Sequence, residues 1–198
     1  MADPAYIVNG TLTDGEAWVP IATTTLSGTA ASTTFTSTDD GQVGDWSQYM
    51  DLVVVLYVAS TNAGGEDFMK TWLNADTTAA NYRYQAFGGD ARPGAEATAS
   101  ISGPRGIDTR RTAGANTANV FAAMIMNFHD VNSGKYKTAI VSAANETDLA
   151  VEGSQVGLHA STWMSQAPIT SIQFAMTSAA LQDASMFSLF GVLPRMVA

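Results

Sequence analysis

The sequence predicts an all-β protein, a sandwich or a barrel. Two observations carry that reading. Apolar and polar residues alternate with period two in many short segments, and turn-forming clusters separate those segments at roughly ten-residue spacing. Helical patterns are few: Ser47–Met50 and Ala179–Ala184 could form short turns, too short for a core helix. At 198 residues the chain is one domain's worth and can bury a core without disulfides.

Each strand has its own signal. Leu52-Val-Val-Val-Leu-Tyr-Val58 is a continuous β-branched run, which predicts a central strand buried on both faces. Val120–Phe128 reads the same way, with Phe121 as a core aromatic. Ile172, Phe174 and Met176 alternate with Ser171, Gln173 and Ala175, and Phe187, Leu189 and Gly191 with Ser188, Phe190 and Val192. Both are half-buried strands. Trp18–Leu26, Ser32–Thr36, Phe68–Asn74, Tyr82–Phe87, Ala97–Ile101, Tyr136–Ala143 and Gly157–Trp163 complete the set, with Ala5–Val8 as a possible first strand. Turns are expected at Asp14-Gly15, Asp39-Asp-Gly41, Asn62-Ala-Gly-Gly65, Gly88-Gly-Asp90, Gly103-Pro104 and Asn132-Ser-Gly134. Residues 1–16 read as a first strand or as an arm that docks on a neighbouring chain through Tyr6; residues 17–198 read as one body.

Composition narrows the function. Charged residues are 14% of the chain, and Ala, Gly, Ser and Thr make up 88 of its 198 residues. A surface of small neutral side chains suits packing against another surface. The net charge of −9 argues against nucleic acid and anionic membrane as partners, since both require a basic footprint. There is no cysteine, so thiolate metal sites, disulfides and cysteine nucleophiles are excluded. The start, Met1-Ala-Asp-Pro-Ala-Tyr6, does not read as a signal peptide, and no apolar run has membrane-spanning length. A protein made and used without secretion is the expectation.

No catalytic motif is present: no nucleophile elbow, phosphate loop or dinucleotide fingerprint. Asp39, Asp40 and Asp45 share a loop without calcium-loop spacing, and a solvated turn is expected there. His129 and His159 are expected to be hydrogen-bonded structural histidines. No enzyme activity, cofactor or metal is expected, although a carboxylate pair for glycan hydrolysis is set by spatial spacing that sequence does not show. Two features remain. Arg105, Arg110 and Arg111 are three of nine basic residues and share one Gly/Pro-bounded loop. They read either as a solvated loop or as a contact with an acidic partner surface, through bidentate carboxylate pairing. Trp18, Trp46, Trp72 and Trp163 read as packing residues, with an exposed one such as Trp72 available as an interface anchor or sugar platform.

Several segments occur in a characteristic order. Trp18-Val-Pro-Ile-Ala-Thr-Thr-Thr-Leu26 precedes Phe35-Thr-Ser37 and Tyr49-Met-Asp-Leu-Val-Val-Val55. Leu73-Asn-Ala-Asp-Thr77 with Asn81-Tyr82 follows, and the chain closes on Pro168-Ile-Thr-Ser-Ile172 and Ser185-Met-Phe-Ser-Leu-Phe-Gly-Val192. This order, over residues 17–193, resembles a group of tailed-phage virion proteins. It departs from the group's pattern at Phe190, where Tyr is usual, at Ala75, where Gly is usual, and in the longer Asp39–Gly44 loop. The resemblance implies a jelly-roll β-sandwich that decorates and stabilises a capsid as a cement protein. It further implies a homo-oligomer, expected to be a trimer, with the major capsid protein as partner and the capsid exterior as location. The alternative it leaves is a tail-fibre or receptor-binding module that recognises host surface glycans.

Overall fold

The computed structural model describes residues 7–8, 11–12, 18–64, 66–90, 95–100, 103–109, 111–115, 118–145 and 155–193. Fourteen strands lie in these residues. β1 (Ile7–Val8) and β2 (Thr11–Leu12) form a two-stranded ribbon of their own. β3 (Trp18–Thr25), β4 (Ser32–Thr36), β5 (Asp51–Val58) and β6 (Glu66–Leu73) follow. Then come β7 (Tyr82–Asp90), β8 (Ala95–Ser100), β9 (Arg111–Ala113), β10 (Ala122–His129), β11 (Lys137–Asn145), β12 (Gln155–Trp163), β13 (Ser171–Met176) and β14 (Met186–Val192).

The pairing is nested. β3 pairs with β14, β4 with β13, β5 with β10 and β6 with β9, all antiparallel. First thus meets last and inner meets inner, as when one long hairpin is rolled up on itself, which is the jelly-roll connectivity. The rolled pairs divide between two sheets, β3-β14-β5-β10 and β4-β13-β6-β9. Two further hairpins extend the first sheet. β11–β12 inserts between β10 and β13 and joins at β10, and β7–β8 inserts between β6 and β9 and joins at β12. The result is an eight-stranded sheet, β3-β14-β5-β10-β11-β12-β7-β8, packed on a four-stranded one. The antiparallel sandwich predicted from alternation is therefore present, widened on one side.

The core lies between the sheets. Leu52, Leu56 and Val58 of β5, Met124, Met126 and Phe128 of β10, and Phe187 and Leu189 of β14 face Met69, Leu73, Ile172 and Phe174 of the smaller sheet. Phe174 is the aromatic centre, 5.3 Å from Phe187 and edge-on to Phe35 at 6.3 Å. Gly191 completes the packing: a Cβ there would overlap the ring of buried Tyr49, so only glycine lets Tyr49 lie across β14. Pro20 sits in β3, an edge strand, beside a register shift opposite Leu189 and Phe190. An edge is where a residue without an N–H is tolerated.

Three expectations change and a fourth is met with a shift of one residue. β10 is not buried on both faces: Ala123 and Ile125 point outward and are exposed, while Met124, Met126 and Phe128 point inward. Its apolar run reflects an uncovered apolar outer face, not a second layer. Phe121 precedes β10 and is only partly buried, stacked at 4.9 Å on exposed Tyr57. Ala179–Ala184 forms no helix, because Leu181 pairs its backbone with Ala30 and Ser60. Ser47–Met50 becomes a 3-10 turn at Trp46–Gln48, capped by Asp45 accepting from the Ser47 N–H.

The turn after β6 fastens the two sheets together. Asn74 and Ala75 both adopt positive φ, at 51° and 56°. Asn74 Oδ1 accepts from the N–H groups of Thr170 and Ser171, at 2.8 and 3.1 Å, and its Nδ2 donates to Pro168 O. Asp76 accepts from Trp163 Nε1 at 2.7 Å, from Asn81 Nδ2 at 2.8 Å and from the Thr78 N–H at 2.9 Å. Tyr82 Oη donates to Asp76 O and accepts from the Leu73 N–H. Burial would raise the Asp76 carboxyl, but the hydrogen bonds from Trp163, Asn81 and Thr78 outweigh it and hold its pKa below the ordinary value.

Two outcomes are expected. Phe174→Ala should lower stability by about 3–5 kcal/mol, as for a buried ring. Phe121→Ala should lose only about 0.5–1.5 kcal/mol, the worth of an aromatic pair. Chemical denaturation of both variants checks the difference; equal losses would contradict the outward placement of Phe121. A carboxyl with a lowered folded pKa contributes stability above its unfolded pKa that is lost as pH falls through the folded one. Asp76→Asn should therefore be less stable at neutral pH and lose less stability on acidification below about pH 4. Thermal melts across that range check this, and an acid limb as steep as that of the parent would show that Asp76 is not the group being titrated.

Candidate functional site

Of the basic loop, Arg105 is described in full. Its Nε donates to Asp108 Oδ1 at 2.7 Å, and its guanidinium lies 4.2 Å from the centre of the Phe68 ring. Backbone geometry puts it there. The loop is stitched to β6 by the Thr71 N–H donating to Arg105 O and the Ile107 N–H donating to Thr71 O. Gly106 between them has φ 74° and no room for a Cβ against the Thr71 carbonyl. Arg105 thus directs its Nε–H to a carboxylate of its own chain. Arg111 lies in β9 with its backbone opposite Phe68. Arg110 and Tyr6 lie outside the described residues. Trp72 is in the interior, 7% exposed and edge-on to Tyr82 at 5.5 Å, and Tyr82 stacks in turn on Trp163. The structure brings Arg105 and Trp72 close together, since Gly106 packs on the Trp72 ring, but as internal fasteners.

Asp108 is the hub of a buried polar group. Besides Arg105 it faces His159, whose Nδ1 lies 3.1 Å from Asp108 Oδ2, and its N–H donates to Ser161 Oγ. Burial would raise the Asp108 carboxyl; His159 and Arg105 outweigh that and hold it below the usual carboxylate range. Both ring nitrogens of His159 are buried without a hydrogen-bond partner among the described residues, so Nδ1 meets Asp108 as a charge contact and the expected hydrogen-bonded histidine is not found at this position. Serine, histidine and aspartate meet here, yet Ser161 Oγ accepts from a backbone N–H and points to no imidazole nitrogen within hydrogen-bond distance. His159 is 1% exposed, so no substrate atom reaches it. The arrangement packs under the added hairpins, and its side chains lack the serine–imidazole hydrogen bond that links a nucleophile to its base.

The other candidates are local. Asp40 accepts from Thr38 Oγ1 and the Gln42 N–H, and Asp45 accepts from the N–H groups of Gly41 and Ser47. Their oxygens are turn acceptors. His129 Nδ1 lies 3.3 Å from Asp51 Oδ2 at the end of β10. Buried Lys137 donates to the carbonyls of Ser133 and Lys135 and closes the turn before β11. Among the described residues no three His, Cys, Asp or Glu side chains are placed to hold a metal ion, and no helix is long and apolar enough to cross a membrane.

The feature that sequence reading missed is the outer face of the eight-stranded sheet. Register places Met186, Tyr57, Ala123, Ala144, Val156 and Gly89 in one row across six strands. The next row is Ser188, Val55, Ile125, Ser142, Leu158 and Phe87, and the third is Phe190, Val53, Asn127, Ile140, Ala160 and Gln85. None of these eighteen positions is charged. Phe87, Val156 and Leu158 are 61%, 62% and 52% exposed. They rim a shallow groove of about 790 Å³ whose floor includes Ala123, Ala144 and Gly157. Among the described residues of these six strands, the charge on this face lies in the fourth row, with Asp51, His129 and Arg83. The signal lay in the alternate residues of each strand, which are apolar or small where a solvated face would be charged. It could be read only once the strand order was known.

The fold and this face define a class: a jelly-roll sandwich with one sheet extended and its outer surface left apolar. No protein-family model, curated protein or solved structure matches the chain.

Arg105→Ala should destabilise the chain by about 1.5–3 kcal/mol, the worth of a hydrogen bond to a buried charged group. Denaturant unfolding checks this. An unchanged midpoint would show that Asp108 does not depend on Arg105.

Proposed function

We propose that this chain is a structural interaction protein that works by burying surface, and that it decorates and stabilises a tailed-phage capsid as a cement protein. The observation that carries the reading is the outer face of the eight-stranded sheet, uncharged in three of its rows. Apolar patches larger than a few hundred Å² are rare on monomeric proteins and mark contact surfaces. A sheet face is rigid, so burying it loses little conformational entropy. Contact with a shell adds to the shell's stability by mass action, because the bound form is favoured over the dissociated one. The resemblance of the ordered segments to phage virion proteins supplies the setting. The face favours protein over glycan as its partner: Phe87 and Tyr57 stand among aliphatic and small side chains, with few of the polar groups that sugar hydroxyls require.

Quantitative gel densitometry of purified virions tests this. Copies in proportion to capsomers are expected, together with a lower temperature of DNA release from particles lacking the protein. A low copy number that follows the tail would support the receptor-binding module instead. Absence from virions would overturn both.

A further inference from the structure

We propose that the outer face of the eight-stranded sheet is the contact between copies of this chain. The inference rests on the reading of the chain as an interaction protein and names the partner for this face. Three observations favour a second copy. The first is area. Three rows across six strands, at about 4.8 Å between strands and about 6.6 Å between rows, present an uncharged face of roughly 570 Å² in projection. A biological contact buries at least about 500 Å² on each partner. The second is charge. Every copy carries −9, and like charges placed against each other across a contact cost several kcal/mol. The three uncharged rows let two such chains meet without that cost. They also offer a charged partner nothing to pair with.

The third observation is shape. One face holds both halves of a packed contact. Phe87, Val156 and Leu158 project, while Ala123, Ala144 and Gly157 leave a floor without large side chains. The projecting side chains of one copy can fill the groove of another, so the complement this surface needs is one that it already carries. A foreign partner would need to bring its own ridge of matching pitch; a copy brings it by construction.

Sedimentation of the purified chain tests the proposal, with Leu158→Arg and Val156→Ser on the face and Thr34→Arg on the opposite sheet as control. All three sites are exposed, and circular dichroism checks that each variant folds. The parent should sediment as a species larger than 20.7 kDa. Leu158→Arg should weaken self-association by about 30-fold or more, as at a contact centre, with a smaller effect for Val156→Ser and none for Thr34→Arg. A parent that stays monomeric up to about 100 μM, or a folded Leu158→Arg variant that associates as tightly as the parent, would overturn the assignment. Failure of the capsid role reads differently. An oligomer broken by Leu158→Arg but absent from virions keeps this contact and removes the capsid, whereas a monomer abundant on capsids does the reverse.

Discussion

The turn at Asn74–Asp76 is the constraint on which the rest of the sandwich depends. It ends β6 in the small sheet, yet its two polar side chains hold parts of the chain about ninety residues away. Asn74 takes the backbone of Pro168, Thr170 and Ser171, where the chain enters β13. Asp76 takes Trp163, the last residue of β12 in the large sheet, and Asn81 just before β7. One turn therefore sets where the small sheet begins relative to the hairpins that widen the large one. The cost is local: two consecutive residues in the left-handed region, the second an alanine, where a Cβ costs roughly 1–2 kcal/mol. Hydrogen bonds to a carboxylate contribute roughly 1.5–3 kcal/mol each, so the network outweighs the strain. The same balance gives a physical reason for glycine at this position in the virion-protein pattern.

Widening the sheet creates two problems and solves one. Four added strands overhang the small sheet, and their inner side must be covered. The loop through Arg105 and Asp108 covers it, with Ile107 fully buried and Asp108 set against His159 and Ser161. Polar groups inside are tolerated there because most are paired. Among the described residues no loop covers the outer side of β11 and β12. Alternation along β11 and β12 is strict, buried then exposed, and the exposed residues include Ile140, Val156 and Leu158. The overhang thus becomes a broad surface with an apolar patch.

Period-two alternation made most strands legible, since burial of one face imposes it directly. Ser32–Thr36 matches residue for residue, and most others agree within two or three positions. β9 escaped because its three residues, Arg-Thr-Ala, have no pattern; Glu66, Asp67 and Phe68 of β6 select it by pairing. Phe121 was misread because an aromatic beside an apolar run has the same sequence signature whether it faces the core or stacks on an exposed tyrosine. Arg105 and Trp72 stood out by type, but type does not reveal a carboxylate three residues on or a glycine that presses the loop against the ring. The apolar face is a property of six strands in register, of which any one shows only half of an alternation.

The proposed association through the face fits what the near edge forbids. A sheet can recruit a partner by adding a strand at its margin or by covering its surface. At the β3 margin Pro20 lacks an N–H, and the register shift opposite Leu189 and Phe190 twists the strand out of line, so a continuous ladder cannot extend there. Face contact needs neither free N–H groups nor straight strands. It needs area, small residues that leave a floor, and no buried unpaired charge. A chain with so few charged residues, and with none in three rows of its broadest sheet, meets those three conditions on one surface.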